Sequence, residues 1–151
     1  MSLRLFSRFA CLVVLTLAAM PLFAGEHEQG DAQKLLTIVT SDSNDTQGMA
    51  MILTTHFVRG GGEARVLLCD DAANLAVTGS DAGSTVLEPA GAAPRQMLQG
   101  LLQAGVQVEI CAIHLPNRDI VEADLVDGVG VAAPPIIAAL MASPEWRLFT
   151  F

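Results

Sequence analysis

The sequence predicts a single-domain α/β protein, a three-layer sandwich with helices on both faces of a small, mainly parallel sheet. Short β-branched apolar runs alternate along the chain with segments of helical periodicity, and this alternation is typical of such folds. The length of 151 residues suits one domain. Hydrophobic residues make up 52% of the chain and charged residues 16%, which permits a packed core and argues against disorder.

A βαβ unit begins the predicted domain. Residues 34–40 form a short, β-branched apolar run, and the polar residues that follow it are good helix caps. Over 46–59 the apolar residues recur at helical spacing, and three glycines at 60–62 end that helix. A second apolar run at 64–69 gives the next strand. Two buried strands joined through a helix predict a parallel pair with a right-handed crossover.

The remaining elements follow the same alternation. Pro94 opens a helix that Gly105 ends, and proline is favoured at the first helical position. Asp119 and Glu122 have the spacing of a capping box, so a short helix is expected over 119–127. Further predictions are strands at 106–111, 130–132 and 146–151, a helix at 134–142, a short helical piece at 74–77, and a strand or loop at 84–87.

The first 24 residues have the features of a secretory signal peptide. Arg4 and Arg8 precede an apolar segment, Pro21 breaks it, and Ala24 supplies a small residue before a cleavage point. The apolar core of about 11–15 residues is shorter than the ~20 that cross a bilayer. We therefore expect a signal peptide at 1–24, a flexible leader at 25–33 and a domain at 34–151. The protein is then periplasmic, with no membrane attachment after cleavage; an uncleaved N-terminal anchor is the alternative.

Charge and motif content exclude several classes of site. The formal charge is −8 and no basic run is present, which argues against a nucleic-acid partner. The three glycines at 60–62 follow a helix rather than a strand, so they are not a phosphate-binding loop. No paired ligand spacing of zinc-site type occurs. The sequence therefore predicts no bound cofactor and no metal.

Cys111 is the candidate reactive residue. It ends the strand at 106–111, and sites in parallel sheets form beyond the carboxyl ends of the strands. Neighbouring cations favour the nucleophilic thiolate. His114 would act as base or counter-ion, and Arg118 would hold an anionic sulfur species or substrate. The alternative is that Cys111 is a small buried hydrophobe.

Cys69 also ends a strand, but the acidic Asp70 and Asp71 follow it and disfavour a thiolate, so core packing is the expected role. In the common doubly wound order of flavodoxin- or Rossmann-like folds, the second and third strands flank the first. That order separates Cys69 and Cys111 by about 10 Å, twice the strand spacing and beyond the ~7 Å limit between the Cα atoms of a disulfide. We therefore predict that the two thiols are not paired with each other.

Other polar residues have simpler interpretations. His56 lies on the apolar face of its helix and is expected to be a core or interface histidine, whereas His27 lies in the leader. Four acids follow strands, where helix caps and turns account for them: Asp42, Asp45, Asp70 and Asp71.

From 34 to 151 the chain resembles the DsrE/DsrF-like family, which includes the sulfur-relay subunits of Tus type. The resemblance rests on the order of several features: a strand followed by a polar Ser-Asp loop and a Met-rich helix, the strand 66–69, the strand ending Val-Glu-Ile-Cys, and the run from Arg118 to Val129. The family's thiol segment is a strand, a cysteine, about six residues, then Arg-Gly. Cys111 and Arg118 fall on that pattern.

The resemblance implies a compact α/β subunit that assembles as a homo-oligomer, often a trimer or hexamer. It also implies sulfurtransferase-like relay activity with a sulfur donor or acceptor protein as partner, in which Cys111 carries sulfur as a persulfide. The sequence departs from the family at Asp119, where relay members have glycine, and at His114, where some relatives have a second cysteine.

Three functional hypotheses follow. The first is a periplasmic sulfur carrier that uses a Cys111 persulfide. The second is a non-catalytic oligomeric module that binds a small molecule or supports assembly. The third is a thiol peroxidase-like role, which the lack of an evident resolving cysteine near Cys111 disfavours.

Overall fold

A computed structural model describes residues 33–151, so the predicted signal peptide and all but the last residue of the leader lie outside the described residues. One sheet of five strands has the order β4-β3-β2-β1-β5, and every neighbouring pair is parallel. The strands are β1 Lys34–Val39, β2 Glu63–Leu68, β3 Gln107–Cys111, β4 Val129–Ala132 and β5 Trp146–Thr150. The predicted single-domain α/β fold with a parallel sheet is confirmed.

Helices connect the strands. The α-helices are α1 Asn44–Arg59, α2 Pro94–Gln103, α3 His114–Asn117 and α4 Pro134–Ala142, and 3₁₀ helices cover Asp70–Ala76 and Glu122–Asp124. Among residues 33–151 none of these helices is long and apolar enough to cross a bilayer.

Local sequence signals account for the helix ends. The Ser43 side chain accepts a hydrogen bond from the backbone N–H of Thr46 at the start of α1. Gly61, at a φ of +90°, takes the chain away from the end of that helix in a conformation that favours glycine. Pro94 occupies the first turn of α2, and the Gln96 side chain accepts from the backbone N–H of Ala93 at 2.9 Å.

The strand order differs from the prediction. We expected the second and third strands to flank the first, but β2 lies between β1 and β3, and β5 occupies the other side of β1. Each of the first three crossovers places the next strand beside the previous one, which is the commonest arrangement of consecutive strands. Only the last connection, through α4, carries the chain from one edge of the sheet to the other.

The segment after Cys111 also differs. The predicted helix over 119–127 is wrong: the chain forms α3 at His114–Asn117 and a single 3₁₀ turn at Glu122–Asp124. Asp119 has a left-handed φ of 52°, whereas a helix N-cap has an extended backbone. The capping contact is instead made by Asp124, whose carboxylate accepts from the backbone N–H of Val121 at 3.0 Å.

The connection from β2 to α2 is long and mostly irregular. The predicted helical piece at 74–77 corresponds to the end of the 3₁₀ helix Asp70–Ala76, and 84–87 is loop apart from a bridge between Leu87 and Ala92. Arg95 of α2 holds this connection, since its guanidinium donates to three backbone carbonyls within 3.1 Å. The acceptors are Asn74, Val77 and Ala82.

The two faces of the sheet bury different amounts of side chain. We call one the α1–α2 face, which packs against α1, α2 and the 3₁₀ helix Asp70–Ala76. We call the other the α4 face, which, among the helices of residues 33–151, packs against α4. Val66, Leu68 and Ile110 belong to the core of the α1–α2 face. The buried core of the α4 face consists of Leu36, Leu67, Ala132 and Ile137.

Candidate functional site

The carboxyl ends of β2 and β3 bring Cys111 to Cys69, and Arg118 to Asp70 and Asp71. Cys69 follows β2 directly, and Cys111 is the last residue of β3. Side chains of the two following segments meet, because Arg118 contacts both Asp70 and Asp71. Side-chain hydrogen bonds at the polar loop after β1 are local by contrast. For example, the Gln47 side-chain amide donates to the carbonyl of Ser41.

Cys69 and Cys111 form a disulfide with their Cα atoms 5.2 Å apart, so the prediction of unpaired thiols is wrong. That prediction depended on the wrong strand order. Because β2 and β3 are neighbours with Leu68 opposite Ile110, the next residue on each strand is a cysteine, and the two face each other. The Cα separation lies within the range of about 4.4–6.8 Å usual for disulfides.

The disulfide lies on the α4 face. Both cysteines pack against the buried cluster of that face, and both are partly buried rather than enclosed. Cys69 thus contributes to packing, as expected, while also being bonded to Cys111. Thiolates attack accessible disulfides, so partial exposure makes this bond open to exchange.

His114 is the first residue of α3 and is buried, at 5% exposure. Its Nε2 atom has no hydrogen-bond partner within residues 33–151. Burial lowers the pKa of His114 below its ordinary value of 6.5, as does the positive charge of Arg118, while Asp70 and Asp71 act in the opposite direction. The imidazole is therefore neutral at pH 7, with a nitrogen available to accept a proton.

Arg118 lies at the surface with two carboxylates. Its Nη2 atom is 3.3 Å from Asp71 Oδ1 and 3.8 Å from Asp70 Oδ1. All three side chains are about half exposed or more, so solvent screens these pairs and each contributes little to stability. Their effect is local: Arg118 balances part of the negative charge next to Cys69.

A cavity of about 320 Å³ opens beside the disulfide on the α4 face. Its lining combines Leu67 of β2, Cys111 at the end of β3, Ile113 just after that strand, and Ile137 and Met141 of α4. Sequence reasoning missed this cavity. The only signal was the composition of α4, which is apolar all round and carries no charged residue, and such a pattern does not say which side faces a partner.

The other candidate residues lie elsewhere. His56 is exposed at the rim of a second cavity, between α1 and α2, so the core interpretation was wrong and the interface interpretation stays a prediction. Asp45 lies in the first turn of α1, in agreement with its expected role near a helix start. Over residues 33–151 no group of three or more metal-ligating side chains is present, and His27 lies outside that range.

Comparison with known proteins identifies the fold. No model of a known protein family matches the chain, and no curated protein matches it. Two solved structures are similar over 80% of this chain. The YchN protein from E. coli has 20% sequence identity, is covered over 99% of its length and superposes with a TM-score of 0.62. MTH1491 from Methanobacterium thermoautotrophicum, a protein of unknown function, has 15% identity, full coverage and a TM-score of 0.55.

At these identities the similarity concerns architecture alone. Both neighbours are matched along essentially their whole length, so the likeness covers complete domains rather than one shared βαβ unit. The chain has the fold of DsrE/YchN-like proteins.

Proposed function

We propose that this protein is an exported, periplasmic sulfur carrier that holds sulfur as a persulfide on Cys111. The observation that carries the proposal is the Cys69–Cys111 disulfide at the carboxyl ends of β2 and β3, beside an open cavity. This arrangement supplies a second cysteine next to the expected one, which lets the site both accept and release sulfur without a separate oxidant.

The loading step is a thiol–disulfide exchange. Hydrosulfide attacks the sulfur of Cys111, the S–S bond to Cys69 breaks, and Cys69 leaves as a thiolate. The products are a Cys111 persulfide and reduced Cys69, so the disulfide is the oxidant and the electrons balance. In the reverse direction the Cys69 thiolate attacks the inner sulfur of the persulfide, restores the disulfide and releases hydrosulfide.

His114 and Arg118 have separate roles in this proposal. His114 is neutral and has a buried nitrogen without a partner in the described chain, so we assign it the proton of the incoming or leaving thiol. Arg118 lies between Asp70 and Asp71, which directly follow Cys69. We assign it the role of reducing repulsion between those carboxylates and an anionic sulfur species at the cysteine pair.

Two further features support the setting of this chemistry. Disulfides persist in oxidising compartments such as the periplasm, which agrees with the predicted signal peptide.

We also propose a homo-oligomer. The edge strand β5 is exposed, with Phe149 at 56% exposure, and exposed apolar edge strands are sites of association. Light scattering that gives the mass of one chain would contradict the oligomer.

The test is intact mass after exposure of the oxidised protein to sulfide, with free thiols then trapped by alkylation. We expect one added sulfur in the parent protein, located at Cys111 by peptide mapping. Cys69→Ser has no disulfide to open, so sulfide alone should not load it, whereas polysulfide, which brings its own sulfane sulfur, should. Cys111→Ser should gain no sulfur from either reagent.

The competing function is a non-catalytic binding module in which the disulfide is purely structural. The second cavity, of about 320 Å³ between α1 and α2, favours this alternative because it lies away from the cysteines. If neither sulfide nor polysulfide adds sulfur to the parent protein, the carrier proposal is wrong and the binding module is the better account.

A further inference from the structure

We infer that the cavity on the α4 face is a binding site for small apolar organic thiols, and that it directs them to the sulfur of Cys111. This inference rests on the proposed function, because it assumes that Cys111 is the sulfur that reacts. It adds the chemical class of the substrate, which neither the fold nor the cysteine pair specifies.

The lining of the cavity selects for apolar ligands. Its side chains carry only carbon and sulfur, and they come from β2, the segment after β3, β4 and α4, as in Leu67, Ala132 and Ile137. A charged ligand would lose hydration there without gaining a hydrogen-bonding or ionic side chain in return. An alkyl chain gains roughly 0.8 kcal/mol for each methylene removed from water, equivalent to about a fourfold change in an equilibrium or rate constant.

The two cysteines are not equally accessible from this cavity. Cys111 forms part of the lining, whereas Cys69 does not. A thiol bound in the cavity therefore loses its proton and, as the thiolate, attacks the sulfur of Cys111. The new bond joins the ligand sulfur to Cys111, the bond to Cys69 breaks, and Cys69 leaves as a thiolate while the proton of the ligand thiol passes to solvent or to His114. The product is a mixed disulfide on Cys111.

The dimensions of the cavity fit a small molecule rather than a protein segment. Its volume of about 320 Å³ is at the lower end of the ~300–1,000 Å³ usual for small-molecule sites. A helix with its side chains is about 10–12 Å wide and would need more space than this. Ile113 and Met141 are 71% and 53% exposed, so the mouth of the cavity is apolar as well as its floor.

The experiment uses the oxidised protein and a series of straight-chain alkanethiols of two to six carbons, whose thiol groups ionise alike. Mixed disulfide formation at Cys111 is followed by trapping and intact mass. We expect the rate to rise roughly fourfold per methylene until the cavity is filled. Glutathione and 2-mercaptoethanesulfonate, which carry charge, should react more slowly than the longer alkanethiols when the rates are compared per thiolate.

A matched pair of variants tests whether the cavity causes this dependence. Met141→Glu places a carboxylate at the mouth of the cavity, and Met49→Glu makes the same change on α1, at a residue that is likewise about half exposed. Both positions are helical and outside the buried core, so both variants should fold. Met141→Glu should remove most of the chain-length dependence, and Met49→Glu should retain it.

The outcomes separate the two proposals. If sulfide loads Cys111 but the alkanethiols react at one rate whatever their length, this inference is wrong and the carrier proposal stands. If the rate depends on chain length but neither sulfide nor polysulfide forms a persulfide, the cavity site stands and the carrier proposal is wrong. The inference is also wrong if Met49→Glu and Met141→Glu reduce the dependence equally.

Discussion

The α1–α2 face and the α4 face of one sheet have very different cores. Seventeen buried apolar residues of the described chain belong to the α1–α2 face, and four belong to the α4 face. The α4 face instead carries the disulfide, an ion pair between Arg65 and Glu109, and the open cavity. The same five strands thus support a closed apolar core on one side and, on the other, a largely buried ion pair and a partly exposed disulfide beside a cavity.

The difference shows how a small domain can hold a partly exposed disulfide without loosening its core. Burial on the α1–α2 face fixes the positions of the strand ends, and both cysteines occupy those ends. The α4 face then has no need to be fully covered, which leaves room beside Cys111. Four predictions test this division of roles, from the largest expected effect to the smallest.

The largest effect should come from loss of the disulfide, which closes a loop of 42 residues. Replacing both cysteines, Cys69→Ala with Cys111→Ala, should lower the free energy of unfolding by about 4 kcal/mol, since the unfolded chain regains its freedom. Urea unfolding of the oxidised parent and the double variant measures it. A difference below about 1 kcal/mol would mean that non-covalent contacts alone hold the α4 face.

Core truncation should distinguish the two faces directly. Leu68 is fully buried on the α1–α2 face, and Leu68→Ala should cost about 3 kcal/mol. Ile137 is slightly exposed beside the cavity, so Ile137→Ala should cost less, roughly 2 kcal/mol or below. Denaturant unfolding of both variants tests this order, and equal costs would show that the faces are equally well packed.

Loss of the ion pair on the α4 face should have the next largest effect on stability. Arg65 donates to the Glu109 carboxylate, and both side chains are largely buried. Glu109→Gln leaves the guanidinium without its charged partner and should cost roughly 2 kcal/mol, less than for a fully enclosed pair. Adding Arg65→Met to that variant should recover part of the loss. A double variant with a lower free energy of unfolding than Glu109→Gln alone would contradict the electrostatic explanation.

The smallest effect concerns His114 and pH. Its folded pKa is lowered by burial and by Arg118, so between that value and the unfolded 6.5 the unfolded state binds more protons. The free energy of unfolding should therefore rise with pH across that window. Above pH 6.5 the full contribution of the neutral His114 is present. The difference in melting temperature between parent and His114→Asn, followed from pH 5 to 8, measures this term, and parallel curves would show that His114 does not contribute.

Most of the elements could be predicted from the sequence because their signals are local. The Ser43 cap, the glycines after α1 and Pro94 each mark an end within one turn of the helix concerned. The order of the strands could not be predicted in the same way. All the strands are parallel and most of their residues are apolar, so a single strand does not reveal which neighbour it pairs with.

That limitation explains the result at the candidate site. Cys111, His114 and Arg118 could be proposed from the sequence because they lie within eight residues of one another at a strand end. The bond to Cys69, and the meeting of Arg118 with Asp70 and Asp71, both depend on β2 lying next to β3. The left-handed backbone of Asp119 is likewise set by the path of the chain, and the spacing to Glu122 does not reveal it.

The pairing of β1 with β5 has a consequence for the protein during its synthesis. Lys34 contacts Glu145, and Thr40 bonds to Phe151, across 111 residues of sequence. Until β5 has been made, one edge of β1 has no strand partner, and such an edge invites pairing with other chains. A chain of this fold gains from remaining unfolded, or bound to a chaperone, until its last strand is available to complete the sheet.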